Sequence, residues 1–148
     1  MKKITFLLLF FCITSIANAQ NLQDIVAQGK KAYIAFVDVK NNIPEAKSAI
    51  KNALLGNEWN RWIIVDSLEN ANFILKVLVE KKGMNIMSFK SSGARIRIRV
   101  EVLTLDNKKL WSSKLYQGNA SLYTGFSALE DATNKMIRRA LSDELLKQ

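Results

Sequence analysis

Residues 94–105 read ARIRIRVEVLTL, and apolar and charged side chains alternate through this stretch. Because successive side chains of a β-strand point to opposite faces of the sheet, this period of two predicts a strand with one face in the core and one in water. The predicted core face consists of Ile96, Ile98, Val100 and Val102, and the solvent face consists of Arg95, Arg97, Arg99 and Glu101.

The segments on either side of this strand also predict β-structure. Asp106 to Lys109 has the composition of a hairpin turn, and Leu110 to Gly118 follows it as a further strand. Upstream, Asn72 to Lys82 places alternate apolar residues on one face. Because these strands follow one another with short connections, we expect an antiparallel meander.

The first half of the chain predicts a βαβ unit. Ala32 to Val39 is apolar on both faces, which is typical of a central strand. Pro44 is suited to the first turn of a helix, which Gly56 would end. Trp62 to Asp66 then gives a second strand, which a right-handed crossover would make parallel to the first.

A long amphipathic helix from about Phe126 to Leu146 closes the sequence. The order β-α-β-β-β-β-α predicts an α+β fold with a mixed sheet of about five strands. Since both helices have an apolar face to cover, we expect them on the same face of the sheet, in a two-layer sandwich.

The first nineteen residues have the three parts of a cleavable secretory signal. Lys2 and Lys3 are followed by the apolar run from Ile4 to Ile16, which is shorter than the ~20 residues that a membrane-spanning helix needs. Small residues at the end of this segment predict cleavage between Ala19 and Gln20. We therefore expect a signal peptide at 1–19, a leader at 20–30, either loose or a short helix, and a single α+β domain at 31–148.

Export narrows the range of functions. The sequence has no histidine, and its one cysteine, Cys12, would leave with the signal peptide, so a common general base, common metal ligands and a thiol nucleophile are missing. We therefore expect no metal, no cofactor and no catalytic residues.

Loss of Lys2 and Lys3 leaves 20 basic residues against 13 acidic ones, which favours acidic proteins, anionic glycans or membrane surfaces as partners. Nucleic acid is not expected, because an exported protein seldom meets it.

Three segments resemble a group of bacterial envelope proteins. SLENANFILKV (residues 67–77) is similar to the segment before the third strand in the TolB amino-terminal domain. LTLDNKKLWSSKLYQG (residues 103–118) and FSALEDATNKMIRRALSDEL (residues 126–145) resemble the hairpin and the closing helix of CsgG and LpoB-like lipoproteins. The resemblance implies an α+β envelope domain that binds other proteins. Unlike CsgG and LpoB, this chain has Gln20 where a lipidation cysteine would stand, so no lipid anchor is expected. CsgG also inserts long hairpins into the membrane, whereas Gly83 to Gly93 could supply at most one spanning strand of ~9–11 residues, so no pore is expected.

Two surfaces are candidates for partner binding. Arg95, Arg97 and Arg99 would form a row at intervals of ~6.7 Å, suited to anionic groups, or simply a solvated sheet face. The connection from Gly83 to Gly93 carries a group of apolar side chains that would be a contact surface on an exposed tip or the closed end of the core: Met84, Ile86, Met87 and Phe89.

Asp38 and Asp66 form a candidate carboxylate pair. Each lies at the far end of a predicted parallel strand, and the carboxyl ends of such strands meet at one edge of a sheet. Two carboxylates there would hold a cation or share a proton, whereas separate aspartates would cap the turns that follow.

The sequence thus supports three hypotheses of function. The leading one is a non-catalytic domain of the periplasm, the outer membrane or the secreted medium that acts through protein–protein contacts in an envelope or assembly system. The second is a receptor for an anionic glycan or small ligand on the arginine face. The third is a small hydrolase that uses Asp38 and Asp66.

Overall fold

A computed structural model describes residues 21–40, 44–56, 59–82, 95–120 and 127–147, with backbone only at 38–40, 44 and 82. The predicted signal peptide with its cleavage site at Ala19 and Gln20 lies outside the described residues. So does the connection that carries Met84, Ile86, Met87 and Phe89.

The described chain contains six strands and three α-helices, one of which continues as a π-helix. The strands are β1 (Lys31–Lys40), β2 (Ile63–Val65), β3 (Phe73–Lys82), β4 (Arg95–Leu103), β5 (Lys109–Ser112) and β6 (Tyr116–Asn119). The helices are α1 (Leu22–Ile25), α2 (Pro44–Leu55) and α3 (Ala128–Lys135), and the π-helix is Met136–Leu145. A short 3₁₀ turn, Leu68–Asn70, joins β2 to β3.

The strands form one open mixed sheet in the order β2-β1-β3-β4-β5, with β6 also paired to β4. β1 runs parallel to β2 and to β3, whereas β3 and β4 are antiparallel, as are β4 and its partners β5 and β6. The predicted mixed sheet and the α+β class are therefore confirmed.

One predicted strand is divided in two. Leu110 to Gly118 was expected to be continuous, but a break at 113–115 separates β5 from β6. Ser113 at this break is 6% exposed, and both its backbone and its side chain bond to Val100 of β4. Its N–H donates to the Val100 carbonyl at 2.8 Å, and its Oγ accepts from the Val100 N–H at 3.0 Å and donates to the Lys114 carbonyl at 2.7 Å. Residues 113–115 lie opposite only Arg99 and Val100 of β4, so this side of the ladder has one residue too many. The Ser113 hydroxyl bonds to backbone groups that would otherwise be unpaired in the core.

Both long helical elements pack on the same face of the sheet, as predicted. The core joins side chains of α2, such as Ile50 and Leu54, to the alternating apolar residues of β3 and β4. The face predicted for the last helix is buried in full: Leu129, Ala132, Met136, Ile137, Ala140, Leu141 and Leu145. The helix begins at a capping box, in which the Ser127 Oγ accepts from the Glu130 N–H at 3.2 Å and the Ser127 N–H donates to Glu130 Oε2 at 2.7 Å.

The helical layer approaches β6 closely at Gly118. A Cβ atom placed on this buried glycine would lie 2.1 Å from the Ala128 carbonyl oxygen and 2.4 Å from the Ala132 nitrogen. A side chain of any size would therefore collide with the backbone of α3, and only glycine allows the helix to lie this near to the strand.

The leader packs against the same core as the rest of the described chain. Val26 is fully buried, and its carbonyl accepts a hydrogen bond from Trp62 Nε1 at 2.8 Å. Gln23 Nε2 donates to the carbonyl of Leu145 at 2.8 Å, which ties α1 to the end of the π-helix. Trp62 also makes an edge-to-face contact with Phe73, with ring centroids 5.0 Å apart. Residues 21–30 thus belong to the folded unit, and the short helix α1 forms part of them.

Among the helices that the structure describes, none combines the length and the apolar character that a membrane crossing requires.

Candidate interaction surfaces

The face of the sheet opposite the helices, here called the second face, carries the side chains that alternate with the core residues. α2, α3 and the π-helix bury their apolar side chains against the other face. At one end of the second face Ile74 and Leu103, which pair across β3 and β4, are buried. The other positions are half-buried or exposed: Tyr33, Ala35 and Val37 on β1, Lys76, Leu78 and Glu80 on β3, and Arg95, Arg97, Arg99 and Glu101 on β4.

The predicted arginine row lies on this second face. Arg97 is half-buried, and its Nε donates to Gln117 Oε1 at 3.1 Å, while Gln117 Nε2 donates to Asn119 Oδ1 at 3.1 Å. Arg99 is exposed and stands opposite Leu78 in the register, and its guanidinium makes no hydrogen bond or ion pair with the other described residues. The row therefore contains one guanidinium held in place by amide side chains and one that projects into solvent.

Two carboxylates adjoin this row: Glu80 stands opposite Arg97 in the register, and Glu101, which follows Arg99 on the same face, is neutralised by lysines. Glu101 lies 3.7 Å from Lys76 Nζ and 3.7 Å from Lys109 Nζ, with only 13% of its side chain exposed. Within the described residues, no carboxylate is within ion-pair distance of Arg97 or Arg99. The positive charge of the two arginines is thus not neutralised by an ion pair with a described residue.

A shallow cleft of about 80 Å³ opens between α2 and the edge of the sheet. It is lined by Tyr33, Ile34, Lys47, Lys51, Ile64, Val65 and Asp66. Lys51 Nζ lies 2.8 Å from Asp66 Oδ1, and this hydrogen bond together with the lysine charge lowers the pKa of the Asp66 carboxyl. Lys47 is exposed and makes no ion pair with a described residue.

The register does not bring Asp38 and Asp66 to a common point. Tyr33 of β1 pairs with Val65 of β2, so Asp66 follows at the level of the next residue of β1. Asp38 lies four residues further along β1, or about 13 Å at the rise of a strand, and its backbone pairs with Val79 on the opposite side. The two aspartates were expected to meet because each lies at the far end of its strand, but β1 continues past the level at which β2 ends.

Sequence reasoning missed a polar cluster at the break between β5 and β6. The Tyr116 hydroxyl donates to Glu144 Oε1 at 2.6 Å, and Lys114 Nζ lies 3.4 Å from the same oxygen. Burial, and then the hydrogen bond to Glu144, raise the pKa of Tyr116 to about 12. The hydrogen bond from Tyr116, and then Lys114, lower the pKa of Glu144. The cluster joins β6 to the π-helix, and no spacing in the sequence indicates that these residues meet.

In the described part of the chain, no three acidic, histidine or cysteine side chains come together as a metal site would require.

Comparison with known proteins identifies the fold but no family. Scans against protein-family models and against curated sequences find no match. The PelC dodecamer from Paraburkholderia phytofirmans shares the fold at 18% identity. One crystal form aligns with a TM-score of 0.54 over 80% of this chain and 89% of PelC. A second crystal form, of a single-substitution variant, aligns with a TM-score of 0.53 over 79% of this chain and 89% of PelC. The solution structure of uncharacterized lipoprotein B from Nitrosomonas europaea is similar at 14% identity, with a TM-score of 0.51 over 82% of this chain and 89% of that one.

Proposed function

We propose that this chain is an exported, non-catalytic domain of the cell envelope that acts by binding another protein through the second face of its sheet. The observation that carries the proposal is the composition of this face. Val37, at 36% exposure, and Arg99, which is also exposed, both pair with Leu78 and so lie in one row across this face. Ile63, at 52% exposure, lies on the same face at the level of Lys31. Exposed apolar area beside arginines is typical of a protein-binding surface, since arginine is enriched in interfaces and apolar area supplies the driving force.

The location of the proposed function rests on the amino-terminal segment and on the fold. Residues 1–19 have the composition of a secretory signal. One protein that shares the fold is named a lipoprotein, and another is named a dodecamer. Both names agree with a domain that works at a membrane or in an assembly. The resemblance to the TolB amino-terminal domain, CsgG and LpoB belongs to the same proposal.

Site-specific photo-crosslinking in the cells that produce the chain tests this proposal. A photoreactive residue is placed at Arg99 or Val37 on the second face, and at Arg139 on the exposed side of the π-helix as the matched control. We expect a protein adduct of discrete mass from the first two positions and none from the third. Equal labelling from all three, or no protein adduct from the second face, contradicts the proposal.

A second candidate function is the binding of an anionic glycan by the arginine row. It is favoured by the exposed Arg99 guanidinium and by the hydrogen bond that orients Arg97, because arginine binds carboxylates and phosphates through two parallel hydrogen bonds. Replacing Arg95, Arg97 and Arg99 with glutamine should abolish retention on an anionic polysaccharide column at low salt. Retention equal to that of the native protein excludes this function. The hydrolase hypothesis has no such support, because the register separates Asp38 from Asp66.

A further inference from the structure

Among the described residues, the strand β1 has no neighbouring strand on one side over most of its length. β1 spans ten residues and pairs with β3 along nearly all of them, whereas β2 covers only Lys31 to Tyr33 on the opposite side. The pair Tyr33–Val65 places the Ile34 N–H on the Val65 carbonyl. Beyond this bond, the Ile34 carbonyl and both backbone groups of Phe36 have no partner on that side among the described residues. β1 is therefore a central strand at its start and an edge strand for the remainder.

The hydrogen bonds at the start of β1 show which backbone groups point to the open edge. The Lys30 carbonyl accepts from Ile63 on the β2 side at 2.9 Å, and the Lys31 carbonyl accepts from Asn72 on the β3 side at 2.8 Å. Successive residues of a strand direct their N–H and C=O groups to opposite edges, so even-numbered residues face the β2 side. The N–H and C=O groups of Ile34, Phe36 and Asp38 thus point away from β3.

This edge lacks the features that usually protect an exposed strand. Lysine, proline and bulges discourage pairing with another chain, and none occurs from Ile34 to Val37. The irregularity in β1 lies further along, between Asp38 and Lys40. Ile34, Phe36 and Val37 are apolar with high β-propensity, which favours the addition of a strand.

The charges beside the edge indicate the kind of partner. The cleft at the end of β2 adjoins Ile34, and it contains Lys47 and Lys51 from α2. Lys51 is paired with Asp66, whereas Lys47 is exposed and makes no ion pair with a described residue. A second copy of this chain, with 20 basic residues against 13 acidic ones after loss of Lys2 and Lys3, would bring like charges to Lys47. An acidic segment would instead neutralise Lys47.

We infer that the open edge of β1, beginning at Ile34, binds an extended acidic segment of a partner protein as an added β-strand. Backbone hydrogen bonds to Ile34 and Phe36 would supply the pairing, and an acidic side chain near Lys47 would supply selectivity. This inference rests on the proposed function, because it names a surface and a partner chemistry for protein binding. It differs from that proposal in placing the contact at the sheet edge and not on the second face.

The test uses backbone amide exchange measured by NMR on the full chain with a synthetic peptide. The peptide has about ten residues, alternates threonine and valine, and carries two central glutamates. We expect the amide of Phe36 to exchange about ten-fold more slowly when the peptide is bound. The amide of Ile34, already bonded to β2, and those of Ala35 and Val37, already bonded to β3, should change little. The same peptide N-methylated at alternate residues should give no protection, because it cannot form the strand hydrogen bonds.

Charge reversal supplies the matched control. Lys47→Glu should weaken peptide binding about three- to ten-fold, whereas Lys108→Glu, at the exposed β4–β5 hairpin, should leave it within about two-fold. A peptide in which lysines replace the two glutamates should bind the native chain more weakly and Lys47→Glu more tightly. Equal effects of the two reversals overturn the acidic selectivity.

Three other outcomes overturn the inference. Slow exchange of the Phe36 amide in the free monomer means that a segment of this chain covers the edge. Protection that appears with a dimer means that the occupant is a second copy. Peptide binding that shifts the resonances of Arg97 and Arg99 alone contradicts binding at the edge of β1 but leaves the proposed function intact. The proposed function itself is tested separately, by the crosslinking experiment described above.

Discussion

Replacement of Gly118 by alanine tests how closely α3 packs on the sheet. The new Cβ would be 2.1 Å from the Ala128 oxygen, about 0.9 Å short of the 3.0 Å that real Cβ contacts require. Because the obstructing atoms belong to the helix backbone, a rotamer change cannot relieve the collision, and α3 must move as a unit. Overpacking of a core costs about 1–3 kcal/mol, and we place this variant at about 3 kcal/mol or above.

Such a loss is a large part of the ~5–15 kcal/mol that stabilises a typical domain. It should lower the unfolding temperature by about 10 °C for a chain of this size. Urea unfolding followed by tryptophan fluorescence gives the measurement, since Trp59, Trp62 and Trp111 are all buried. The denaturation midpoint should fall while the slope stays unchanged.

Two other glycines provide controls for this prediction. Gly56→Ala would place its Cβ 3.3 Å from the Asn52 oxygen, so its effect should be below about 1 kcal/mol. Gly29 has φ of +80° with no atom within 4 Å of an added Cβ, so alanine there costs only backbone strain of about 1–2 kcal/mol. If Gly118→Ala is no more destabilising than these two variants, α3 does not lie against β6 as described.

Three further predictions concern individual polar contacts. Ser113→Ala should cost about 1–3 kcal/mol, because the Val100 N–H would lose its buried acceptor. The pKa of Tyr116 is about 12 in the folded state and near 10 in the unfolded state. Its contribution to stability is therefore present below pH 10 and is lost as the pH rises toward 12. Tyr116→Phe should remove this part of the pH dependence, roughly 1–2 kcal/mol of the free energy of unfolding. Ser127→Ala should cost about 1 kcal/mol through loss of the capping box.

Each of these predictions has its own control measurement. Ser112→Ala, at an exposed neighbouring position, should change the free energy of unfolding by less than about 0.5 kcal/mol. Ser67→Ala should be near neutral, because Ser67 makes no side-chain cap with the 3₁₀ turn that it precedes. A Tyr116→Phe variant whose stability falls between pH 10 and 12 as steeply as that of the native protein contradicts the assigned pKa.

The period of two at Arg95 to Leu103 and the helical spacing after Ser127 predicted the sheet and the closing helix because burial enforces these patterns. The Ser113 break was not predictable, since a serine in a strand is usually solvent-exposed and only the tertiary contact with Val100 shows its role. The π-helix at Met136–Leu145 was missed as well, because the same residues satisfy an α-helical pattern.

The candidate site was predictable only in part. The arginine row followed from alternation within one strand, and the structure places these residues on one strand and on one face. The cleft beside Asp66 and the open edge of β1 depend on the length of β2, which has only three residues. The point at which β2 diverges from β1 determines this length, and no local sequence pattern indicates it. The distance between Asp38 and Asp66 follows from the pairing of Tyr33 with Val65, a register that no local pattern in the sequence indicates.

The hydrogen bond from Gln23 to the Leu145 carbonyl means that the two ends of the described chain are neighbours. A short linker between these ends would therefore close the backbone into a ring without disturbing the core. New termini could then be opened at the exposed turn near Asn107, where φ is +65°. In such a rearranged protein β4 and β5 would be joined only by their hydrogen bonds, so the strength of that pairing could be measured apart from the connection between them.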